Sequence, residues 1–182
     1  MKKLRLTLIA LVGLATVSQA QNTFTLKSDD LGGQMSPKQE FNGFGCKGEN
    51  ISPQLSWVNP PKGTQSYAIT VYDPLAPTGS GWWHWVVFDI PATANFVPAN
   101  AGNPSSSLLP SGSIQGMTDF GKPGYGGPCP PEGHGFHQYI ITIYALKKEK
   151  LGLDQQAGPA TVGYVLNANT IEKASIVAYY KR

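Results

Sequence analysis

Residues 66–90 read SYAITVYDPLAPTGSGWWHWVVFDI and contain two apolar segments on either side of a loop rich in Gly and Pro. The segments 66–73 and 85–90 are dominated by β-branched and aromatic residues, which are typical of strands. Asp73 and the Pro and Gly residues after it are turn formers, so they separate the two segments. This stretch therefore predicts two strands connected by an irregular loop.

Three other segments of the chain have the same strand-like character. They are residues 22–27, 138–146 and 173–180, and each is bounded by Gly, Pro, Asn or Asp. The 182 residues include 21 Gly and 15 Pro, and such frequent breaks favour short strands over long helices. Because neither an internal repeat nor a linker divides the chain, we expect a single domain.

One segment near the C-terminus has a helical pattern instead. It covers residues 159–168, where Pro159 suits the first turn of a helix. Val162, Val165 and Leu166 would share one face of that helix. Together with the strand segments, this pattern predicts a mainly β fold, an antiparallel β-sandwich with one or two peripheral helices.

The N-terminus has the three-part pattern of a secretory signal peptide. Lys2, Lys3 and Arg5 precede an uncharged apolar run over residues 6–17, and Ser18-Gln19-Ala20 closes the segment with small residues. A transmembrane anchor is the alternative, but the run is shorter than the roughly twenty apolar residues that a spanning helix needs. The pattern predicts cleavage after about Ala20 and a periplasmic or secreted protein.

Removal of residues 1–20 changes the charge of the chain. The whole sequence has 14 Lys and Arg against 11 Asp and Glu, and three of the positive charges lie in the expected signal peptide. The mature domain, expected over residues 21–182, therefore has 11 of each and a net charge near zero. Because a nucleic-acid-binding surface needs clustered Lys and Arg, nucleic acid is excluded as a partner. The same composition predicts no stable insertion into a membrane.

Two cysteines, Cys46 and Cys129, belong to the mature chain. An even number of cysteines in an oxidising compartment predicts one disulfide. Two free buried thiols or a redox pair are the alternatives. A redox pair usually occurs as Cys-x-x-Cys, and this spacing is absent from the sequence.

All three histidines of the chain lie in two loops rich in Gly and Pro, 73–84 and 126–139. Loops held between rigid strands are common positions for functional residues. In an extended chain, residues two apart point to the same side, so His137 and Tyr139 should share a face where the second loop enters its strand. The pattern predicts a binding site at the ends of these strands.

These two loops resemble the signature motifs of the phosphatidylethanolamine-binding protein family, also called the Raf kinase inhibitor protein family. Residues 73–84 resemble the first motif and residues 127–139 the second, while residues 50–57 are similar to a third family segment. With the signal peptide and the GFGC stretch at 43–46, the chain resembles the exported bacterial branch of Raf kinase inhibitor-like proteins.

The resemblance implies a small pocket that binds phosphate or a phosphorylated head group, without a cofactor. Its expected members are Asp73, His84, His137 and Tyr139, together with backbone groups near Gly127 and Pro128. Imidazole and phenol groups can donate hydrogen bonds to phosphate oxygens.

Asp73 has two possible roles in such a pocket. A carboxylate repels an anion, so Asp73 is expected to accept a hydrogen bond from a histidine ring and so select its tautomer. Alternatively, it only caps the Asp-Pro turn. Two positions depart from the family pattern. Leu75 replaces a second Asp, and Gln138 replaces a frequent Arg.

The tryptophans and His134 admit further interpretations. We expect Trp85 to enter the core, because a large aromatic ring buries much apolar area, and Trp82 or Trp83 to lie at the rim of the pocket. His134 and His137, with His84, suggest a metal site. We predict none, because His-x-x-His in a Gly-rich loop has no enforced geometry.

The resemblance and the motifs favour a non-catalytic ligand-binding protein. No GxSxG nucleophile elbow is present, and no other nucleophile is placed beside a base by the sequence. An inhibitor or modulator of a protease, a kinase or another protein is the alternative. A weak hydrolase is a third. A monomer and a homodimer both stay open at this point.

Overall fold

The described part of the chain is residues 23–182 of a computed structural model, and it consists mainly of strands. The elements are β1 (Thr25–Lys27), β2 (Asn42–Gly43), β3 (Cys46–Lys47), β4 (Leu55–Val58), β5 (Ser66–Asp73), β6 (Trp82–Pro91), β7 (Phe96–Val97), β8 (Ile114–Gln115), β9 (His137–Leu146), α1 (Pro159–Asn169) and β10 (Thr170–Tyr180). The expected signal peptide and its cleavage site lie outside the described residues.

The strands form one large and two small antiparallel sheets. The large sheet has five strands in the order β10-β9-β5-β6-β8, and a three-stranded sheet has the order β1-β4-β7. Strands β2 and β3 form a separate two-stranded ribbon. The predicted antiparallel β-sandwich is therefore confirmed, with one helix within residues 23–182.

The central strand β5 is buried on both faces, which explains its nearly continuous apolar sequence. Tyr67, Ile69 and Val71 pack in a core cluster that also contains Leu55 and Trp57 of the three-stranded sheet. On the opposite face, Ala68 belongs to a second cluster. The large sheet is thus the middle layer of the domain.

The helix α1 covers the second face of the large sheet. Val162 and Leu166 are buried and pack in the cluster that contains Ala68, and Val165 is partly buried against the same cluster. The three residues predicted to share a helix face therefore face the sheet, as expected. No helix within the described residues is long and apolar enough to cross a membrane.

The long strands lie close to their predicted positions. The prediction for β5 is confirmed at both ends, and β9 and α1 each differ from their predicted spans by one residue at one end. Strand β6 begins at Trp82, three residues before the predicted start, because Trp82 and Trp83 pair with the end of β5. Strand β1 begins at Thr25, three residues after the start of the predicted segment 22–27.

Candidate functional site

Three neighbouring strands of the large sheet bring the candidate side chains to one end of the domain. Strand β5 ends at Asp73, while its antiparallel neighbours β6 and β9 begin at Trp82 and His137. Because antiparallel neighbours run in opposite directions, the last residue of β5 lies beside the first residues of β6 and β9. We call Asp73, His84, His137 and Tyr139, the polar residues grouped there, the sheet floor.

An irregularity in β6 directs His84 into this group. Val71 pairs with Trp85 and Tyr72 pairs with Trp83, so His84 has no partner on β5 and forms a β-bulge. A bulge changes the direction of the extra side chain, and bulges are frequent next to functional sites. Consecutive strand residues normally point to opposite faces, but here His84 contacts Tyr139 at the cavity and Trp85 packs in the same core cluster as Tyr139.

Asp73 combines both roles that were considered for it. Its Oδ2 atom accepts a hydrogen bond from His137 Nδ1 at 2.7 Å, and both side chains are buried. Its Oδ1 atom accepts from the backbone N–H of Leu75 at 2.8 Å, which caps the turn after β5. The carboxylate therefore orients the His137 ring and the loop with one oxygen each.

His84 is held by the backbone of Gly126. Its Nδ1 atom donates to the Gly126 carbonyl oxygen at 2.7 Å, and the Gly126 N–H donates to the His84 carbonyl oxygen at 2.9 Å. Burial lowers the pKa of His84 to about 4, although the carbonyl groups and Asp73 oppose this shift. His84 is therefore neutral at pH 7, with its proton on Nδ1.

Tyr139 lies against the His84 ring, with the ring centroids 5.0 Å apart in an edge-to-face arrangement. Its side chain is only 1% exposed, and burial raises the pKa of its phenol, so the hydroxyl keeps its proton. Within residues 23–182, no protein group accepts a hydrogen bond from this hydroxyl, and Tyr139 lines the cavity. The hydroxyl is available to a ligand.

The sheet floor opens into a cavity of about 200 Å³. Apart from the floor, its lining is mainly apolar and comes from the start of β6 and from loops: Trp82, Phe44, Ala76, Pro77, Thr78, Phe120, Cys129, Pro130 and Pro131. Phe120 contacts both Trp82 and His84 edge-to-face, at centroid distances of 5.5 Å. Small-molecule sites commonly combine such an apolar lining with a few converging polar groups.

One side of the cavity is held by a disulfide. Cys46 in β3 is bonded to Cys129, 83 residues later, which confirms the predicted bridge. Arg182 supports the same side, since its Nε atom donates to the Pro130 carbonyl oxygen at 3.2 Å. We call the lining residues that this bridge connects, namely Phe44 and residues 129–131, the loop wall.

Gly127 and Pro128, which the family resemblance assigned to the pocket, lie outside the cavity lining. The backbone N–H of Gly127 donates to Asn50 Oδ1 at 2.8 Å, and the Pro128 carbonyl oxygen accepts from Phe41 N at 3.0 Å. Because these polar groups are already paired, they position the loop wall. A Cβ atom on Gly127 would overlap the Gln39 carbonyl oxygen, so this close approach requires glycine.

Trp82, Trp85 and His134 lie in three different environments. Trp82 lines the cavity, whereas Trp85 is fully buried in the core. His134 is exposed and stacks on His137 at a centroid distance of 5.7 Å. Among residues 23–182, no group of three or more His, Cys, Asp or Glu side chains is placed to hold a metal ion.

Sequence reasoning did not single out several cavity residues, namely Phe44, Ala76, Pro77, Thr78, Phe120, Pro130 and Pro131. Phe120 is the most informative, because it lies between the two motif loops in the chain and belongs to neither. Its neighbours Thr118 and Asp119 hold the loop by hydrogen bonds, including one from Trp83 N to Asp119 Oδ2 at 2.7 Å. No local sequence pattern marks such a contact.

Comparisons with known proteins identify a family and several relatives that the chain resembles. The model of the family described as phosphatidylethanolamine-binding protein matches residues 30–181. The chain is 48% identical over 168 residues to the UPF0098 protein YbcL of Escherichia coli K12, covering 91% of this chain and 92% of the relative. It is 45% identical over 157 residues to the UPF0098 protein YbhB of the same organism, covering 85% of this chain and 98% of the relative.

A solved structure supports the same conclusion on the fold. The crystal structure of E. coli YbcL, described as a new member of the mammalian PEBP family, superposes with a TM-score of 0.85 at 48% identity. The match covers 87% of this chain and 98% of that chain.

Proposed function

The chain belongs to the phosphatidylethanolamine-binding protein family, and on this premise we propose that it is an exported, non-catalytic protein that binds a phosphoryl anion in the cavity above its sheet floor. The observation that carries the proposal is the Tyr139 hydroxyl, which has no hydrogen-bond partner within residues 23–182 and belongs to a side chain that lines the cavity. A phenol can donate a hydrogen bond to a phosphate oxygen, so this hydroxyl is best explained as a ligand donor.

The chemistry of the cavity supports binding rather than turnover. Cys129 is held in the disulfide, and the Thr78 hydroxyl donates to the Gly81 carbonyl oxygen. Covalent catalysis requires a nucleophile within reach of a base that can take its proton. Neither of these two candidate nucleophiles is paired with His84 or His137, whose Nδ1 atoms bond to Gly126 and Asp73.

Calorimetric titration of the mature protein with inorganic phosphate and with O-phosphoethanolamine tests this function. We expect binding by the wild type and a loss of about 10- to 100-fold in affinity for Tyr139→Phe, because a hydrogen bond to a charged group contributes about 1.5–3 kcal/mol. The matched control is Tyr164→Phe, which removes the same hydroxyl from an exposed residue of α1.

His84→Ala should abolish binding, because it removes a ring that lines the cavity and contacts Tyr139. Melting temperatures of all variants separate a lost contact from a lost fold. If the wild type binds neither ligand between pH 5 and pH 8, the proposed function is wrong.

Modulation of another protein is the second candidate, and the surface beside the cavity favours it. Phe44 is 70% exposed although it lines the cavity, and Leu75, next to the cavity residue Ala76, is 47% exposed. Exposed apolar residues grouped around a cleft are typical of protein interaction sites. Inhibition of purified extracytoplasmic proteases by the wild type, weakened in Phe44→Ser, would support this function. Absence of inhibition by the wild type would exclude these proteases as targets.

A further inference from the structure

We infer that the cavity selects a phosphoryl group that still carries a proton, as a phosphate monoester does in its monoanionic form, over a phosphodiester or a sulfate. The inference rests on the proposed function and specifies the chemical class of its ligand. It follows from which groups of the sheet floor can donate a hydrogen bond and which can only accept one.

The first step concerns the tautomer of His84. A carbonyl oxygen can only accept a hydrogen bond, so the 2.7 Å contact with Gly126 places a proton on Nδ1 of His84. A neutral imidazole has one proton, and its other nitrogen is then an acceptor. Burial opposes a second proton on this ring, so Nε2 of His84 can only accept a hydrogen bond from a ligand in the cavity.

The second step concerns His137 and Asp73. His137 donates from Nδ1 to Asp73 Oδ2 at 2.7 Å, so this imidazole and this carboxylate are paired with each other. Asp73 accepts from His137 and from the Leu75 backbone, and it contributes a negative charge to the floor. The Tyr139 hydroxyl is a donor of the floor that no group within residues 23–182 occupies.

The third step concerns charge. No Lys or Arg is among the described residues that line the cavity. Arg182 lies behind the loop wall, where it bonds to the Pro130 carbonyl oxygen and lies 4.0 Å from Glu132. The other titratable groups that act on the floor are Asp119 on His84, His134 stacked on His137, and Tyr125 and Tyr180 near Tyr139.

A dianion in this cavity would lie near the Asp73 carboxylate, and no Lys or Arg lines the cavity to offset the repulsion. A monoanionic monoester fits the floor better, because its P–OH group can donate to Nε2 of His84 while an unprotonated oxygen accepts from Tyr139. Sulfate and phosphodiesters have no such proton at neutral pH. Nε2 of His84 therefore discriminates against them, since a buried acceptor left without a donor costs about 1–3 kcal/mol.

This chemistry separates two sources of a phosphoryl group. A free monoester or inorganic phosphate can bring the proton, whereas the head group of an intact phospholipid is a diester and cannot. Phosphate monoesters lose their second proton with a pKa of about 6. Above that value the affinity should therefore fall about tenfold per pH unit, with uptake of one proton on binding.

The experiment is calorimetric titration of the mature protein with two matched pairs of probes between pH 5 and pH 8. O-Phosphoethanolamine and glycerophosphoethanolamine have the same head group as a monoester and a diester, and phosphate and sulfate have the same shape and size. We expect the monoester and phosphate to bind at least about tenfold more tightly than their partners, given the cost of an unpaired acceptor. Repeating the titration in buffers with different ionisation enthalpies counts the protons taken up.

Two variants test the acceptor, His84, and the donor, Tyr139, separately. The amide of His84→Gln can turn its NH₂ group toward an anion, so the preference for phosphate over sulfate should fall to within about threefold. Tyr139→Phe removes a donor that both ions use, so it should weaken both and keep their ratio. If His84→Gln does not fold, as judged by its melting curve, the wild-type ratio and pH dependence decide.

The outcomes distinguish the two levels of the proposal. Equal affinity for phosphate and sulfate, sulfate binding with uptake of a proton, or an affinity independent of pH overturns the inference and leaves an anion site. Failure of all four probes to bind overturns the proposed function itself. A diester that binds as tightly as the monoester would point to the phospholipid head group instead and would also overturn the inference.

Discussion

The sheet floor and the loop wall face the same cavity, but different interactions hold them in place. Asp73, His137 and Tyr139 belong to strands whose backbone hydrogen bonds run the length of the large sheet. The loop wall has no comparable ladder. It follows a ribbon of two residues per strand and depends on the Cys46–Cys129 bridge.

The sheet floor and the loop wall therefore have different roles in the cavity. The floor carries the groups that form hydrogen bonds, and side chains on sheet strands are held more precisely than those on loops. The wall contributes mainly apolar surface from Phe44, Pro130 and Pro131, which sets the size of the cavity. We therefore expect changes in the floor to alter which ligand binds, and changes in the wall to alter how stable the domain and its cavity are.

The largest effect on stability is expected from removing the bridge with Cys46→Ser and Cys129→Ser together. A crosslink that closes a loop of 83 residues stabilises a fold by roughly 4–5 kcal/mol in the chain-entropy model. Urea unfolding should show this loss, while the far-ultraviolet circular dichroism of the sheet stays unchanged. Wild-type protein treated with reductant is the matched control. A loss below about 1 kcal/mol would mean that the wall does not depend on the bridge.

The second prediction concerns the pH dependence of the free energy of unfolding, which tests the environment of His84 in the sheet floor. The unfolded chain protonates the His84 ring near pH 6.5, whereas burial lowers the pKa of this residue to about 4 in the fold. The unfolded state therefore binds more protons in this window, and the free energy of unfolding falls as the pH is lowered from 6.5 to 4. The fall amounts to about 3 kcal/mol at most.

Urea titrations across this pH range measure the effect. His84→Gln should flatten the curve, while His134→Gln, which removes an exposed imidazole, should keep the fall caused by His84. A His84→Gln curve as steep as that of the wild type would show that other groups produce the dependence.

The third prediction concerns the packing behind the wall. In Gly127→Ala the new methyl group meets the Gln39 carbonyl oxygen and the backbone near Phe41, so the loop must shift. We expect a loss of about 1–3 kcal/mol, typical of overpacked sites, and weaker phosphate binding. Gly79→Ala in the other motif loop is the control, because its methyl group would have nothing within 4 Å. Equal melting temperatures for the two variants would contradict the prediction.

The smallest effect is expected at Leu75, where the chain departs from the family pattern. Leu75→Asp changes a half-exposed side chain, so the free energy of unfolding should change by less than about 0.5 kcal/mol. Phosphate affinity should fall by less than about fivefold, since charges in water interact by about 1 kcal/mol at close range. Calorimetry measures this change, and a gain in affinity would show that the added carboxylate does not act by repulsion.

Much of the fold could be predicted from local patterns. Strand β5 and the helix α1 have sequences whose periodicity and end residues agree with the structure that they adopt. The short strands β2, β3, β7 and β8 could not be found in this way, because two residues carry no periodicity. They form where distant segments meet, as Ile114 does beside Phe88.

The residues of the site also fall into those that local patterns indicate and those that they do not. The spacing of His137 and Tyr139 on β9 and the family motifs indicated which side chains would come together. The bulge at His84, the contact of Phe120 with the floor and the pairing of Gly127 with Asn50 have no local signal. Each depends on a partner far away in the chain, so no pattern around the residue itself indicates it.

The sequence by itself determined the strand segments, the helix, the family and the two cysteines that pair, because these depend on residue type and short-range order. The tertiary structure alone decided which atoms of the site donate and which accept. The proton of His84 is placed by a carbonyl group 42 residues away, and that of His137 by a carboxylate 64 residues away. A tautomer depends on the atom that faces the ring, and only the folded chain brings that atom there.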